Sequence, residues 1–245
     1  MKFQGKIAMI TGASVGIGRA VALCLAEQGA DLVLLDINLE KLMAVGEEAG
    51  KYGRRVLTYE CDISNEEKVN EAASDAIKRF GKVDILVNNA ALWRDRADFA
   101  ESSAALWKRY LDVNVMGVYH CTRAVINSML ENRYGRIINV ASVAGVYGIA
   151  GMAHYSATKA AVIALTKALA KEVTDTGVLV NCVSPGSVSP SQNEDMDFFQ
   201  PSELSFMGRT GTDRENANVI CFLASDEASY IAGQNIQIDG CRKKQ

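Results

Sequence analysis

The sequence is short of most features that would mark a specialised chain. It has no uninterrupted apolar stretch long enough to span a bilayer, and it runs into a strand-like apolar pattern by Ile7 without a signal-peptide core. No membrane partner and a cytoplasmic location are therefore expected. Positive charge is not in excess: 26 Lys and Arg stand against 29 Asp and Glu, a formal net charge of −3, so no nucleic-acid partner is expected either. The six cysteines, Cys24, Cys61, Cys121, Cys182, Cys221 and Cys241, lack the close pairing of zinc or redox motifs. They read as reduced thiols, with no metal expected. Prolines number three, and Pro185, Pro190 and Pro201 fall in one irregular stretch, where backbone donors are least needed.

What is present is an alternation. With 49% hydrophobic and 22% charged residues, the composition is that of an ordinary globular protein. Short, near-continuous apolar runs at 7–11, 32–36, 55–59, 83–88, 136–141, 178–183 and 235–238 predict strands buried on both faces. Between them, 18–28, 39–51, 65–80, 102–131, 154–174 and 212–225 carry apolar residues three and four apart, which predicts helices. The alternation predicts an α/β fold: a Rossmann-like, doubly wound parallel sheet of about seven strands with helices on both faces. No repeat, low-complexity tract or linker divides residues 1–245, so a single domain is expected. Ligands of such sheets bind beyond the carboxyl ends of the strands, and the stretch 190–206 is expected to form a substrate lid.

The first strand is followed by Thr11-Gly12-Ala13-Ser14-Val15-Gly16-Ile17-Gly18, a GxxxGxG spacing that opens the first helix. It differs from the GxGxxG arrangement but serves the same physics: a tight turn, close approach of backbone to a pyrophosphate, and free helix amides that favour an anion. Gly12, Ser14, Val15, Gly16, Ile17 and Gly18 are thus candidate dinucleotide contacts. Asp36 ends the second strand 18 residues after Gly18, where its carboxylate can accept from the adenosine ribose hydroxyls and repel a 2′-phosphate. No cation stands at Val15, Ile37 or Asn38 to compensate such a phosphate, so the expected cofactor is NAD.

Ser142 follows the apolar run Ile137, Ile138, Asn139, Val140, and so stands at the carboxyl end of the fifth strand. Tyr155 and Lys159, four apart, share one helix face. A free tyrosine titrates near 10, so proton transfer near neutrality asks for a shift of roughly three units, about 4 kcal/mol. The Lys159 ammonium is the expected source, with Ser142 bonding the substrate oxygen. In isolation, such a Tyr and Lys also describe a solvated helix face.

Taken together, the loop from Thr11 to Gly18, Asn88-Asn89-Ala90, Asn114, Ser142, Tyr155 with Lys159, and Pro185-Gly186 make the chain resemble the short-chain dehydrogenase/reductase family over practically its whole length. The branch it resembles holds 3-oxoacyl-acyl-carrier-protein reductases and secondary alcohol dehydrogenases. The resemblance implies an oxidoreductase that passes hydride between NAD(H) and a carbinol carbon. In it, Tyr155 is general acid/base, Lys159 lowers its pKa and holds the nicotinamide ribose, Ser142 orients the substrate oxygen, and Asn114 anchors a water beside Lys159. Further implied contacts are Ile37 beside Asp36, Asp62 and Ile63 at the adenine, Asn89 and Ala90 at the ribose, and Pro185, Gly186 and Val188 at the nicotinamide. Helix capping competes for Asp62, and a purely helix-kinking role competes for Asn114. A homotetramer is also implied, paired through helix 154–174, where Ala157, Ala160, Ala161, Ala164, Ala168 and Ala170 permit close approach. Three positions depart from the family: Ala91 and Cys241 stand where glycine is frequent, and Pro190 where threonine is, leaving Ser189 or Ser191 to supply the hydroxyl.

The stretch 190–206 contains Glu194, Asp195, Asp197 and Glu203 and no basic residue, which disfavours acidic substrates. Trp93, Tyr147, His154, Phe198, Phe199 and Met207 are candidate walls for an apolar alcohol or ketone, with His154 serving equally well as a core residue. Arg94 and Arg96 read as solvated charges or as carboxylate binders. The expected partner is thus a small-molecule secondary alcohol or ketone. The alternatives are a 3-oxoacyl thioester as substrate, or a nucleotide-sensing binding protein without turnover.

Overall fold

The computed structural model describes residues 1–189 and 195–243. Seven strands, β1 Ile7–Thr11, β2 Asp31–Asp36, β3 Val56–Glu60, β4 Ile85–Asn88, β5 Gly135–Val140, β6 Val178–Pro185 and β7 Asn235–Ile238, form one parallel sheet of order β3-β2-β1-β4-β5-β6-β7. The chain starts mid-sheet, winds out to β3, crosses back to β4 and winds out again to β7. Strand order therefore reverses between β1 and β4, which opens a crevice at their carboxyl ends. The helices are α1 Gly16–Glu27, α2 Leu39–Gly50, α3 Glu66–Phe80, α4 Ala104–Leu111, α5 Gly117–Glu131, α6 Ala144–Tyr147, α7 Ala153–Val173 and α8 Asp213–Ala224.

Successive residues of a strand point to opposite faces, and both faces are covered. Ala8 and Ile10 of β1 pack with Leu23 of α1, Leu42 of α2 and Ile220 of α8, whereas Ile7 and Met9 pack with Ala76 of α3, Val125 of α5 and Val173 of α7. Burying a side chain the size of Ile or Met contributes about 1.5–3 kcal/mol, so a strand in this position gains at every residue and carries an unbroken apolar run.

Three departures from the sequence expectation bear on the site. The predicted helix 102–131 is interrupted: α4 and α5 are joined by a π-helical turn, Asp112–Met116, that carries a fully buried Asn114. Such turns widen the helix by one residue and re-aim a side chain. Directly after β5, α6 forms where no element was expected, because four residues are too few to show a period. Pro185 belongs to β6, opposite Ile238, and not to the irregular stretch. Its missing N–H does no harm, since Gly186 donates to the Ile238 carbonyl at 2.9 Å and the Pro185 carbonyl accepts from Val143 at 3.1 Å. Pro190, Ser191, Glu194 and the first part of the expected lid lie outside the described residues. Among the described residues no helix is long and apolar enough to cross a membrane.

Candidate active site

The loops after β1 and β4 meet at the crevice. Gly12 takes φ +63°, and a Cβ there would lie 2.8 Å from the Ala90 Cα, so only glycine permits the approach. Asn89 clamps it, its amide donating to the Thr11 and Gly12 carbonyls at 3.0 Å each. The Thr11 hydroxyl accepts from the Asn89 and Ala90 amides, also at 3.0 Å. Gly18 packs against the Gly12 carbonyl, where a side chain would collide. The Asn89 side chain is therefore committed to holding the loop, which the sequence reading did not foresee.

Asp36 is tied to the same loop: its carboxylate accepts from the Ser14 amide at 3.1 Å and from the Asn38 amide at 2.9 Å. Val15 and Ile37 flank it, 51% and 71% exposed. Helices α2, α3, α4 and α8 start on a capping side chain, Asn38, Asn65, Ser103 and Thr212 respectively, whereas α1, like α5, α6 and α7, has no side-chain cap and no acid in its first turn. The first amides of α1, from Gly16 and Ile17 onward, are thus left for an outside anion. An uncapped helix end, apolar rims and a strand-end carboxylate fit a dinucleotide. At its far side, the Asp62 carboxylate accepts from the amide and hydroxyl of Ser64 at 2.9 and 2.7 Å, while Asn65, not Asp62, caps α3. Ile63 is buried, with its carbonyl 3.0 Å from the His120 ring Nδ1.

Ser142 lies just past β5, its hydroxyl accepting from the Ala144 amide at 3.1 Å and in hydrogen-bonding reach of Tyr155 from the first turn of α7. One turn on, Lys159 is 3% exposed, donates to the Val140 carbonyl at 2.7 Å and holds its Nζ 5.8 Å from the centre of the Tyr155 ring. Burial pushes the Lys159 ammonium down to about 8. Burial likewise pushes the Tyr155 phenol up, with the Ser142 hydroxyl opposing it. The Lys159 ammonium is directed at the Val140 carbonyl, and the raised phenol keeps its proton at neutral pH.

Asn114 sits behind this pair. Its side chain accepts from the Leu92 amide at 2.8 Å, donates to the Leu92 carbonyl at 2.9 Å and donates to the Thr158 hydroxyl at 3.1 Å. Thr158 in turn donates to the Tyr155 carbonyl at 2.8 Å. Thr158 was missed by the sequence reading, as was Tyr110, which contacts the Tyr155 ring edge-on with centroids 6.4 Å apart. The available signal for Tyr110 was its spacing of four from Asn114, which puts both on one helix face.

Other expectations divide. Val188 bridges to Gly211, and Gly186 lies so close to Asp239 that a Cβ would come within 2.9 Å of its Cα. His154 is a core residue, 1% exposed and edge-on to Tyr110 at 4.4 Å. Trp93, Tyr147, Phe199 and Met207 are exposed and Phe198 partly so. Ser189 is buried with its hydroxyl 2.6 Å from that of Thr210, so it is not free to replace the family threonine. The stretch expected to form the lid is less acidic in effect than in sequence, because both oxygens of Asp197 accept from Arg214 of α8, at 2.9 and 2.8 Å.

A family model described as Enoyl-(Acyl carrier protein) reductase matches residues 12–241. The chain belongs to the short-chain dehydrogenase/reductase family. It is 38% identical to the 3-oxoacyl-[acyl-carrier-protein] reductase FabG of Thermotoga maritima, over 98% of both chains. It is 40% identical to the (2S)-[(R)-hydroxy(phenyl)methyl]succinyl-CoA dehydrogenase subunit BbsD of Thauera aromatica, over 99% of this chain and 98% of that one. Among solved structures, NAD+-bound xylitol dehydrogenase superposes with a TM-score of 0.90 at 34% identity, covering 98% of this chain and 100% of the other. The seven-stranded parallel sheet flanked by helices matches that of these structural relatives.

Proposed function

We propose that this enzyme transfers hydride between NAD(H) and a secondary alcohol or its ketone, with Tyr155 as general acid/base. The observation that carries the reading is the meeting of the Ser142 hydroxyl, the Tyr155 phenol and the buried Lys159 ammonium at the carboxyl end of β5, the same edge of the sheet at which the glycine loop follows β1. The bound nicotinamide supplies the hydride acceptor or donor. Gly12, Ser14, Val15, Gly16, Ile17 and Gly18 hold the pyrophosphate side. Asp36, Ile37, Asp62, Ile63, Asn89 and Ala90 hold the adenosine, and Pro185, Gly186 and Val188 the nicotinamide.

In ketone reduction, Ser142 donates to the carbonyl oxygen and Tyr155 gives that oxygen its proton as the carbon gains hydride. Lys159 stabilises the phenolate that remains, and Asn114 holds the water through which the proton is restored. The raised phenol suits this direction, since the acid is loaded at neutral pH. NAD over NADP is supported by Asp36, by the absence of a cation at positions 15, 37 and 38, and by the NAD+ of the xylitol dehydrogenase relative. Tyr155→Phe keeps the ring and removes the hydroxyl, and is expected to lower kcat by about 10²–10⁴. Unchanged turnover in a screen of ketones with NADH would end this reading.

A 3-oxoacyl thioester as the ketone is a second reading, favoured by the Arg214 neutralisation of Asp197 and by the names of the FabG and BbsD relatives. Turnover of an acetoacetyl thioester against a cyclic ketone, followed by NADH absorbance, separates the two. We further propose one domain over residues 1–245 with 190–206 as its lid, a cytoplasmic location, and a homotetramer packed through the exposed Ala157, Ala160, Ala164 and Ala168 of α7. A monomer mass by light scattering would contradict the assembly.

A further inference from the structure

Tyr110, in the last turn of α4, has no exposed surface. A buried phenol hydroxyl is costly unless paired, and this one is paired twice to a single residue of the loop after β4. It accepts from the Asp95 amide at 3.1 Å and donates to the Asp95 carboxylate at 2.9 Å. Arg109 holds the same carboxylate from its outer side at 2.6 Å. The ring end of Tyr110 meets α7 instead, edge-on to His154 at 4.4 Å and to Tyr155 at 6.4 Å. One side chain thus bonds the loop at its hydroxyl and packs on the proton-transfer residue at its ring.

The loop has two further ties, and both lead to the same place. Asn114 binds the amide and carbonyl of Leu92 and donates to Thr158, which bonds the Tyr155 carbonyl. The Ala97 amide donates at 2.9 Å to the carbonyl of Gly151, just before α7. Between the ties, Trp93, Arg94 and Arg96 are exposed beside the crevice. Three struts therefore run from one short loop to the first turns of α7. The Tyr110 strut alone touches the Tyr155 side chain.

We propose that Tyr110 is a positioning residue for Tyr155, coupling the placement of the 92–97 loop to the orientation of the phenol. The proposal rests on Tyr155 being the acid/base. A phenylalanine or leucine would fill the same space, but it would leave Asp95 held by Arg109 alone and untie the loop from the ring between Leu92 and Ala97. A substrate that presses on Trp93 or draws on Arg94 then acts on the reaction centre through Tyr110, without contact between the two.

Two variants test it. Tyr110→Phe keeps the ring and removes the hydroxyl; Asp95→Ala removes the acceptor at an exposed position, where folding is not at risk. Each is expected to lower kcat about tenfold to a hundredfold at saturating cofactor and substrate, with the Kd for NADH unchanged. The double variant should fall no further than the worse single one, because both cut the same strut. Hydrogen exchange of the NADH-bound protein should quicken in residues 92–97 and in 153–158 together. Exchange that quickens in 92–97 alone, or kcat unchanged in an active protein, would overturn the proposal. An unsubstituted protein with no turnover counts instead against the dehydrogenase reading, and the exchange of 153–158 still decides whether Tyr110 couples to that turn.

Discussion

At the proposed nucleotide end of the crevice, the side chains that shape the loop are paired within the chain while the first amides of α1 stay open. Asn89 holds the Thr11 and Gly12 carbonyls, Thr11 holds two amides, and Asp36 holds two more. At the catalytic end, desolvation acts against both titratable groups, raising Tyr155 and lowering Lys159 to about 8. Each is driven toward its neutral form. The first region is a socket whose shape is set by backbone packing before anything binds. The second is an electrostatic imbalance that favours the loaded acid and that incoming charge must reset. Preorganisation of shape and preorganisation of charge are thus divided between two halves of one site.

If the nucleotide end is a matter of shape, a single methyl-bearing side chain should destroy it. Gly12→Val faces a left-handed φ as well as the 2.8 Å approach to Ala90. It is expected to weaken NADH binding by more than about a hundredfold and to cost several kcal/mol of stability, read by titration calorimetry and melting. Retained binding would mean that the loop is not the socket. A smaller effect tests whether charge matters at that end. Asp36→Ala removes the carboxylate but leaves the cradle, so NADH should bind roughly tenfold to a hundredfold more weakly while NADPH gains or stays level. Equal losses for both cofactors would show that Asp36 acts only by holding the Ser14 and Asn38 amides.

The same division explains what could be read from the sequence. The strands were legible because burial on both faces leaves unbroken apolar runs, and the glycine loop because its constraints lie within eight consecutive residues. The π-turn at Asp112–Met116 was not, since the apolar spacing runs on through it and Leu92, the partner of its buried Asn114, lies 22 positions away. Tyr110 of α4 pairs with Asp95 across 15 positions and Arg214 of α8 with Asp197 across 17, each acid lying in a segment without periodicity. The direction of the Tyr155 shift was illegible for another reason. The sequence names the ammonium that could lower it, but the desolvation that raises it depends on what packs around both.

The finest test concerns the cost of the imbalance itself, and it separates charge from shape at one residue. Lys159 titrates at about 8 in the folded protein against its ordinary 10.5. Below pH 8 it carries its proton in both folded and unfolded chains, and the full penalty for burying that charge is present. Between 8 and 10.5 the folded protein sheds the proton while the unfolded chain keeps it, so this residue's contribution to stability improves as pH rises. Lys159→Met removes the charge and keeps an unbranched chain. The interval is equivalent to about 3 kcal/mol, reduced to about 2 kcal/mol because the Val140 carbonyl loses its donor. The variant should therefore melt higher than the parent at pH 7, and the order should reverse by pH 10.5, by about 1 kcal/mol, because neutral lysine still bonds Val140. Groups not coupled to Lys159 titrate alike in both proteins and cancel in the difference, and the coupled Cys182 is removed by measuring both in a Cys182→Ala background. Melting curves that stay parallel across that window would mean that Lys159 is not carrying a buried charge, and the contrast between the two halves of the site would lose its electrostatic side.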